Sequence, residues 1–200
     1  MHNLTVAILA GGKSRRMGEN KALIQLGGHP LISHIISRLR TLHPAEIMII
    51  TNEPDVYARF GQRIVQDSTP DQGPLGGVYT ALSSSRTQYN FIIACDMPLV
   101  KPTLVKWLWH ACNNYDAIVP QKDNQKQYLH SIIQSRCASR AFDNLQSQRR
   151  SMHAFFSEIN TQFCDYADFK HIDNDDSFTN INTPDDIHAI RRAFAKKSCQ

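Results

Sequence analysis

Residues 4–21 read LTVAILAGGKSRRMGENK. The run from Leu4 to Leu9 is apolar or β-branched and stops at Gly11-Gly12, which predicts a buried strand feeding a glycine turn. Glycines let backbone N–H groups close in on a phosphate. Lys13, Arg15, Arg16 and Lys21 follow at short spacing. They can neutralise a triphosphate, and arginine offers a planar fork to phosphate oxygens. A strand, then glycines, then cations favours a phosphate site over a turn with solvated charges. The spacing is not a P-loop: Gly12-Lys13-Ser14 fits the end of that motif, but Ala7 stands where its first glycine belongs. Nor is it G-x-G-x-x-G.

Working outward, strands and helices alternate. Leu31, Ile32, Ile35, Ile36 and Leu39 share one helical face within residues 30–42. Short apolar runs at Glu46–Ile50, Ile64–Val65, Phe91–Cys95, Ala117–Val119 and Leu129–Ile133 predict strands. Helices are predicted at 55–60, 78–84, 102–112, 136–146 and 152–159, with turns over 67–77 and a polar loop over 123–127. Thr183-Pro184-Asp185-Asp186 announces a last helix, with Thr183 as N-cap, Pro184 at the first helical position and acids at its positive end. This alternation predicts an α/β fold with a mostly parallel central sheet and helices on both faces. Right-handed crossovers then place the loops after the strands along one edge, where ligands bind.

The 200 residues predict one domain spanning 1–200. A formal charge of +4 suits anionic ligands. The basic clusters are short, which argues against nucleic acid as a partner. Five scattered cysteines without a C-x-x-C pair fit neither a disulfide framework nor a zinc site. Leu4–Ala10 is too short to span a membrane and lacks a basic residue before it. A cytoplasmic location, without membrane attachment, is the expectation. The histidines form no metal-binding spacing, and there is no G-x-S-x-G elbow.

Three further segments carry polar residues where ligands bind in such sheets. Asp96 closes FIIACD at a strand's carboxyl end, and a single carboxylate with substrate phosphates is a normal way to hold Mg²⁺. From its surroundings alone it is equally a turn aspartate before Pro98. Asp67 follows a strand in a loop stiffened by Pro70, Gly73 and Pro74, and it also reads as an ordinary turn residue. Asn180 and Asn182 alternate before the last helix, where amides bind ligand or satisfy turn backbone.

Taken together, the segments resemble the molybdenum cofactor guanylyltransferase family. LAGGKSRRMGENKAL (Leu9–Leu23) follows the family's opening pattern. The likeness continues through Gly28–Leu31, Asp67 with Gly73-Pro74-Leu75-Gly76-Gly77, Asp96-Met97-Pro98, and Asn180-Ile181-Asn182-Thr183-Pro184-Asp185. The motifs keep the family's order and reach from Leu9 to Asp185.

The resemblance implies a Rossmann-like nucleotidyltransferase fold. It also implies transfer of GMP from GTP to the phosphate of molybdenum-molybdopterin, with Mg²⁺ as cofactor. A related enzyme using CTP and a non-catalytic GTP- or cofactor-binding protein are the alternatives. By position, the resemblance assigns nucleotide binding to Leu9, Ala10, Gly11, Gly12, Lys21, Asp67 and Asp96. It assigns metal binding to Asp96, catalysis to Asp96, Lys21 and Arg16, and pterin-substrate binding to Asn180 and Asn182. Molybdoenzymes or other cofactor-biosynthesis proteins are the implied partners. Two places depart from the family. Ile50 stands where some members carry the first of two asparagines, leaving Asn52, and Gln127-Tyr128-Leu129 replaces Q-P-L.

Overall fold

The computed structural model describes residues 1–11, 20–173, 176–183, 185–187 and 190–191. Along the chain run β1 (Leu4–Leu9), a small hairpin of β2 (Gln25–Leu26) and β3 (His29–Pro30), α1 (Leu31–Arg40), β4 (Glu46–Thr51), α2 (Pro54–Tyr57) and β5 (Arg63–Gln66). Next come α3 (Gly73–Ser84), β6 (Tyr89–Ala94), α4 (Pro102–Ala111), β7 (Ala117–Lys122), β8 (Gln125–Lys126) and β9 (His130–Gln134). The chain continues with α5 (Ala138–Gln146), α6 (Met152–Ser157), β10 (Thr161–Asp165) and α7 (Tyr166–Phe169). No helix among the described residues is long and apolar enough to cross a membrane.

The main sheet has the order β10-β7-β9-β6-β1-β4-β5, with β8 attached to β7. β1 is parallel to β4 and β6, β4 to β5, and β7 to β10. β9 alone on that path runs against its neighbours, between β6 and β7. The sheet is therefore mostly parallel, as the alternation of elements predicts.

Every residue of β1 is buried, because helices cover both faces of the sheet. Leu4, Val6 and Ile8 pack on the side of α1 and α4, against Ile32, Ile35, Leu104 and Leu108. Ala7 and Leu9 point the other way, toward α3, α5 and α6, against Leu75, Val78, Ala141 and Phe155. The face predicted for α1 is the buried one. Fully burying a side chain of that size contributes about 1.5–3 kcal/mol. A third cluster of Ile24, Leu26, Leu31, Ile181 and Ile190 fastens the β2–β3 hairpin to the last part of the chain.

Several elements differ from the sequence reading, and the β2–β3 hairpin and α7 have no predicted counterpart. α3 begins at Gly73, not Val78, because Gly73 enters at φ +69° and Pro74 occupies the first turn, where its missing N–H costs nothing. The polar stretch 123–127 holds the tip of a β7–β8 hairpin, at 123–124, and its second strand, β8. Asp123 and Asn124 both take positive φ, 49° and 62°, as a two-residue turn of that kind requires. Thr161–Asp165, for which the sequence predicts no element, is an edge strand beside β7.

Gly76 shows why α3 can start where it does. A Cβ there would lie 2.7 Å from Thr69 Oγ1 and 2.8 Å from the Thr69 carbonyl oxygen. Backbone cannot swing aside as a side chain can. Gly76→Ala is therefore expected to destabilise the protein by about 1–3 kcal/mol despite alanine's better helix propensity. Urea unfolding of the variant beside the parent chain checks this.

Candidate active site

The carboxyl ends of β1, β4, β5 and β6 open onto a cleft of about 1030 Å³. Leu9, Ala10 and Gly11 form one wall of it, at the exit from β1. The turn is fixed on both sides by backbone: Ala10 N–H donates to the Ile50 carbonyl at 2.9 Å, and Cys95 N–H to the Leu9 carbonyl at 3.2 Å. The start of α3, at Gly73, Pro74 and Gly77, lines the cleft. The positive end of a helix dipole favours anions at such a place. Gly77 sits against Leu9, 3.3 Å from where its own Cβ would be.

Asp96 follows β6, and Lys21 opens a short 3₁₀ turn, Lys21–Leu23. Their side chains meet: Lys21 Nζ lies 3.6 Å from Asp96 Oδ2, with 17% and 19% of the side chains exposed. Lys21 Nζ also donates to Asn182 Oδ1 at 2.7 Å. Asp96 Oδ1 is buried and takes no hydrogen bond among the described residues. Burial raises the Asp96 carboxyl above its ordinary range, and the Lys21 charge pulls it part of the way back. A carboxylate held at a desolvation cost, with one oxygen unpartnered, is poised to take a cation.

Asn182 reaches this point because its loop is pinned at several atoms. Ile181 N–H donates to the Asp96 carbonyl at 3.0 Å, and Ile181 itself is buried in the third cluster. Asp186 Oδ2 accepts from both Asn182 N–H and Thr183 N–H at 2.8 Å, while Thr183 Oγ1 accepts from Asp186 N–H. Thr183 is thus the N-cap, and those backbone donors hold the Asp186 carboxyl below its usual range. Asn180 is exposed, and its side chain makes no hydrogen bond among the described residues.

Asp67 is in the cleft lining, but its Oδ1 is occupied by Thr69 N–H at 3.0 Å and Thr80 Oγ1 at 2.9 Å. It therefore shapes the 67–72 loop against α3 and has one oxygen left over. Gly12 and Arg16 lie outside the described residues. Asn52, the remaining asparagine after β4, lines the cleft beside Ile50.

Two residues beside the cleft are not among those the sequence singles out. Asn20 caps the 3₁₀ turn through Ala22 N–H at 3.1 Å and donates to Glu53 Oε2 at 3.0 Å. Its place before Lys21-Ala22 is an N-cap signal. Tyr57, fully buried at the end of α2, donates to Asn20 Oδ1 at 3.0 Å. Nothing in its local sequence marks it.

Residues 6–162 match the family model of the MobA-like NTP transferase domain. The chain belongs to that family. It is a nucleotidyltransferase, and the cleft at the carboxyl edge of its sheet is where that fold class binds ligands. Among curated relatives, the probable molybdenum cofactor guanylyltransferase of Carboxydothermus hydrogenoformans is 31% identical over 198 residues, covering 98% of this chain and all of the relative. The molybdenum cofactor guanylyltransferase of Shewanella sediminis is 32% identical over 200 residues, covering 96% and 98%. Among solved structures, molybdopterin-guanine dinucleotide biosynthesis protein A from Archaeoglobus fulgidus superposes with a TM-score of 0.84 over 96% of this chain and 99% of that one, at 23% identity. That likeness establishes the Rossmann-like nucleotidyltransferase fold.

Proposed function

We propose that this MobA-like transferase moves GMP from GTP onto the terminal phosphate of molybdenum-molybdopterin and releases pyrophosphate. The observation that carries the reading is the convergence of Lys21, Asp96 and Asn182 beside the glycine turn, with one Asp96 oxygen buried and unpartnered among the described residues. The names of the relatives support a guanylyl group as what is transferred and the molybdenum cofactor as what receives it.

The acceptor is a phosphate monoester, anionic near neutral pH, so it attacks the α-phosphorus of GTP without a general base. One P–O bond forms to the acceptor oxygen, and the bond to the β-phosphate's bridging oxygen breaks with its electron pair leaving on pyrophosphate. The difficulty is repulsion between two anions, so catalysis falls to positioned positive charge. Lys21 provides an ammonium in the cleft lining, held by Asp96 and Asn182. The backbone amide at Gly11, together with the start of α3, adds partial positive charge to the cleft lining. Arg16 is assigned by position to the same task, and Gly12 to the same turn.

Mg²⁺ fits the donor set at Asp96. No group of three or more His, Cys, Asp or Glu side chains capable of holding a metal occurs among the described residues. The carboxylate would therefore share the ion with phosphate oxygens, as Mg²⁺ commonly does. When bound, the ion supplies charge that draws phosphate oxygens together and stabilises the leaving group. Asn182 holds Lys21 in place from the acceptor side, and Asn180, two residues away and exposed, is the side chain left to meet the pterin. A soluble cytoplasmic enzyme built as one domain over residues 1–200 completes the reading. Molybdoenzymes or other cofactor-biosynthesis proteins would receive its product.

The test is pyrophosphate release with GTP, Mg²⁺ and loaded molybdopterin, run beside CTP. Release with GTP well above that with CTP is expected. GTP binding without release would point to a non-catalytic carrier, and equal or better use of CTP to a cytidylyltransferase.

A further inference from the structure

Lys21 has four rotatable bonds, yet its ammonium must sit opposite Asp96, a residue delivered by a different strand. The contacts around Asn20 explain how it gets there. Ala22 N–H can only donate and Glu53 Oε2 can only accept, so the Asn20 amide has one possible orientation, with Oδ1 toward Ala22 and Nδ2 toward Glu53. The same Oδ1 takes the Tyr57 hydroxyl at 3.0 Å. That hydroxyl also lies 3.4 Å from the Ala10 carbonyl, the first residue past β1. Glu53 is itself held, through its N–H to Thr51 Oγ1 at 3.1 Å.

We propose that Tyr57 is a positioning residue for Lys21: its buried hydroxyl locks the Asn20 amide against the end of β1, and the locked amide sets the 3₁₀ turn that aims the ammonium at Asp96. The inference rests on the reading of the cleft as the triphosphate site. Tyr57 is fully buried and is not part of the cleft wall, so it acts through Asn20 and touches no substrate. Burial keeps the phenol neutral at any working pH, so the hydroxyl remains a donor. Its ring is anchored in the core on the α1 side of the sheet. The contact therefore ties the Lys21–Leu23 turn to the core of the molecule. The hydroxyl has one proton, which goes to Asn20 Oδ1 at 3.0 Å, and the Ala10 carbonyl at 3.4 Å is its polar neighbour at the end of β1.

Tyr57→Phe keeps the ring and removes only the O–H. The variant is expected to fold and to lose about tenfold in kcat/KM for GTP, the usual size of one buried hydrogen bond left half-made. If the loss runs through Lys21, then Tyr57→Phe placed in a Lys21→Ala background costs nothing further. A purely structural role would instead give losses that multiply. A crystal structure of ligand-free Tyr57→Phe supplies a readout that needs no activity. Lys21 Nζ is expected to leave Asp96 Oδ2, while the sheet is unchanged. Multiplying losses, or a variant crystal in which the Lys21–Asp96 pair is intact, would overturn the proposal. Failure of the parent chain to release pyrophosphate would overturn the guanylyltransfer reading instead, and the crystal comparison would still decide the role of Tyr57.

Discussion

Asp96→Asn is expected to cut turnover by roughly 10³-fold while raising the melting temperature of the ligand-free protein at neutral pH. Both effects come from one arrangement. Among the described residues, the carboxylate is mostly buried, has one oxygen without a partner, and meets Lys21 as its cation at 3.6 Å. Its pKa is raised, chiefly by desolvation, and Lys21 offsets only part of that. A carboxyl whose folded pKa exceeds its unfolded value favours the folded state at low pH, and that contribution is lost as pH rises through the folded pKa. At neutral pH the ionised group is thus a burden on the fold. Asparagine has the same shape without the charge, and should stabilise the ligand-free protein by about 1 kcal/mol. The gain should fade as pH is lowered into the range where Asp96 itself takes up a proton. Thermal unfolding across that range, with turnover measured alongside, checks both halves. Near-normal turnover at ordinary Mg²⁺, or a lowered melting temperature at every pH, would show that Asp96 is a turn residue only.

The sequence exposes most of this site because its chemistry sits at strand ends. Leu4–Leu9 is apolar or β-branched throughout and Phe91–Cys95 is an apolar run, so their places in the sheet centre can be read directly, and so can the emergence of Gly11 and Asp96 just beyond them. The buried face of α1 is equally plain. Other features depend on backbone angles that composition hides. Gly73-Pro74 reads as a turn, yet in three dimensions it is a helix start, and only the approach of Gly76 to Thr69 explains it. Asp123-Asn124 reads as a polar loop because neither residue is glycine, though both adopt positive φ. The edge strand Thr161–Asp165 carries Thr161, Gln162 and Asp165, so half its pattern is that of a loop. Tyr57 is illegible for a different reason. Its partners, Ala10 and Asn20, are 47 and 37 residues away, and no local pattern encodes a contact made across the sheet edge.

Lys21→Ala is expected to lower kcat/KM for GTP by roughly 10²-fold, with a larger loss at acid than at alkaline pH. The first part comes from removing the described ammonium that pairs with Asp96 and would face the triphosphate. The second comes from the effect of the ammonium on its neighbour. Lys21 is the leading influence holding the Asp96 carboxyl down against desolvation. Without it, Asp96 takes up its proton at a higher pH, and only the ionised form would hold the proposed divalent ion. The acid limb of the kcat/KM profile, which reports groups of the free enzyme, should therefore move to higher pH in the variant. Lys21→Arg distinguishes charge from shape. Its guanidinium keeps the charge near Asp96, so the acid limb should return toward its original position. The rate should recover only partly, because a planar fork cannot reproduce the ammonium's contact with Asn182 Oδ1 at 2.7 Å. An acid limb that stays put in Lys21→Ala, or an unchanged GTP affinity in a calorimetric titration, would mean that the pair observed in the cleft does not work as a unit.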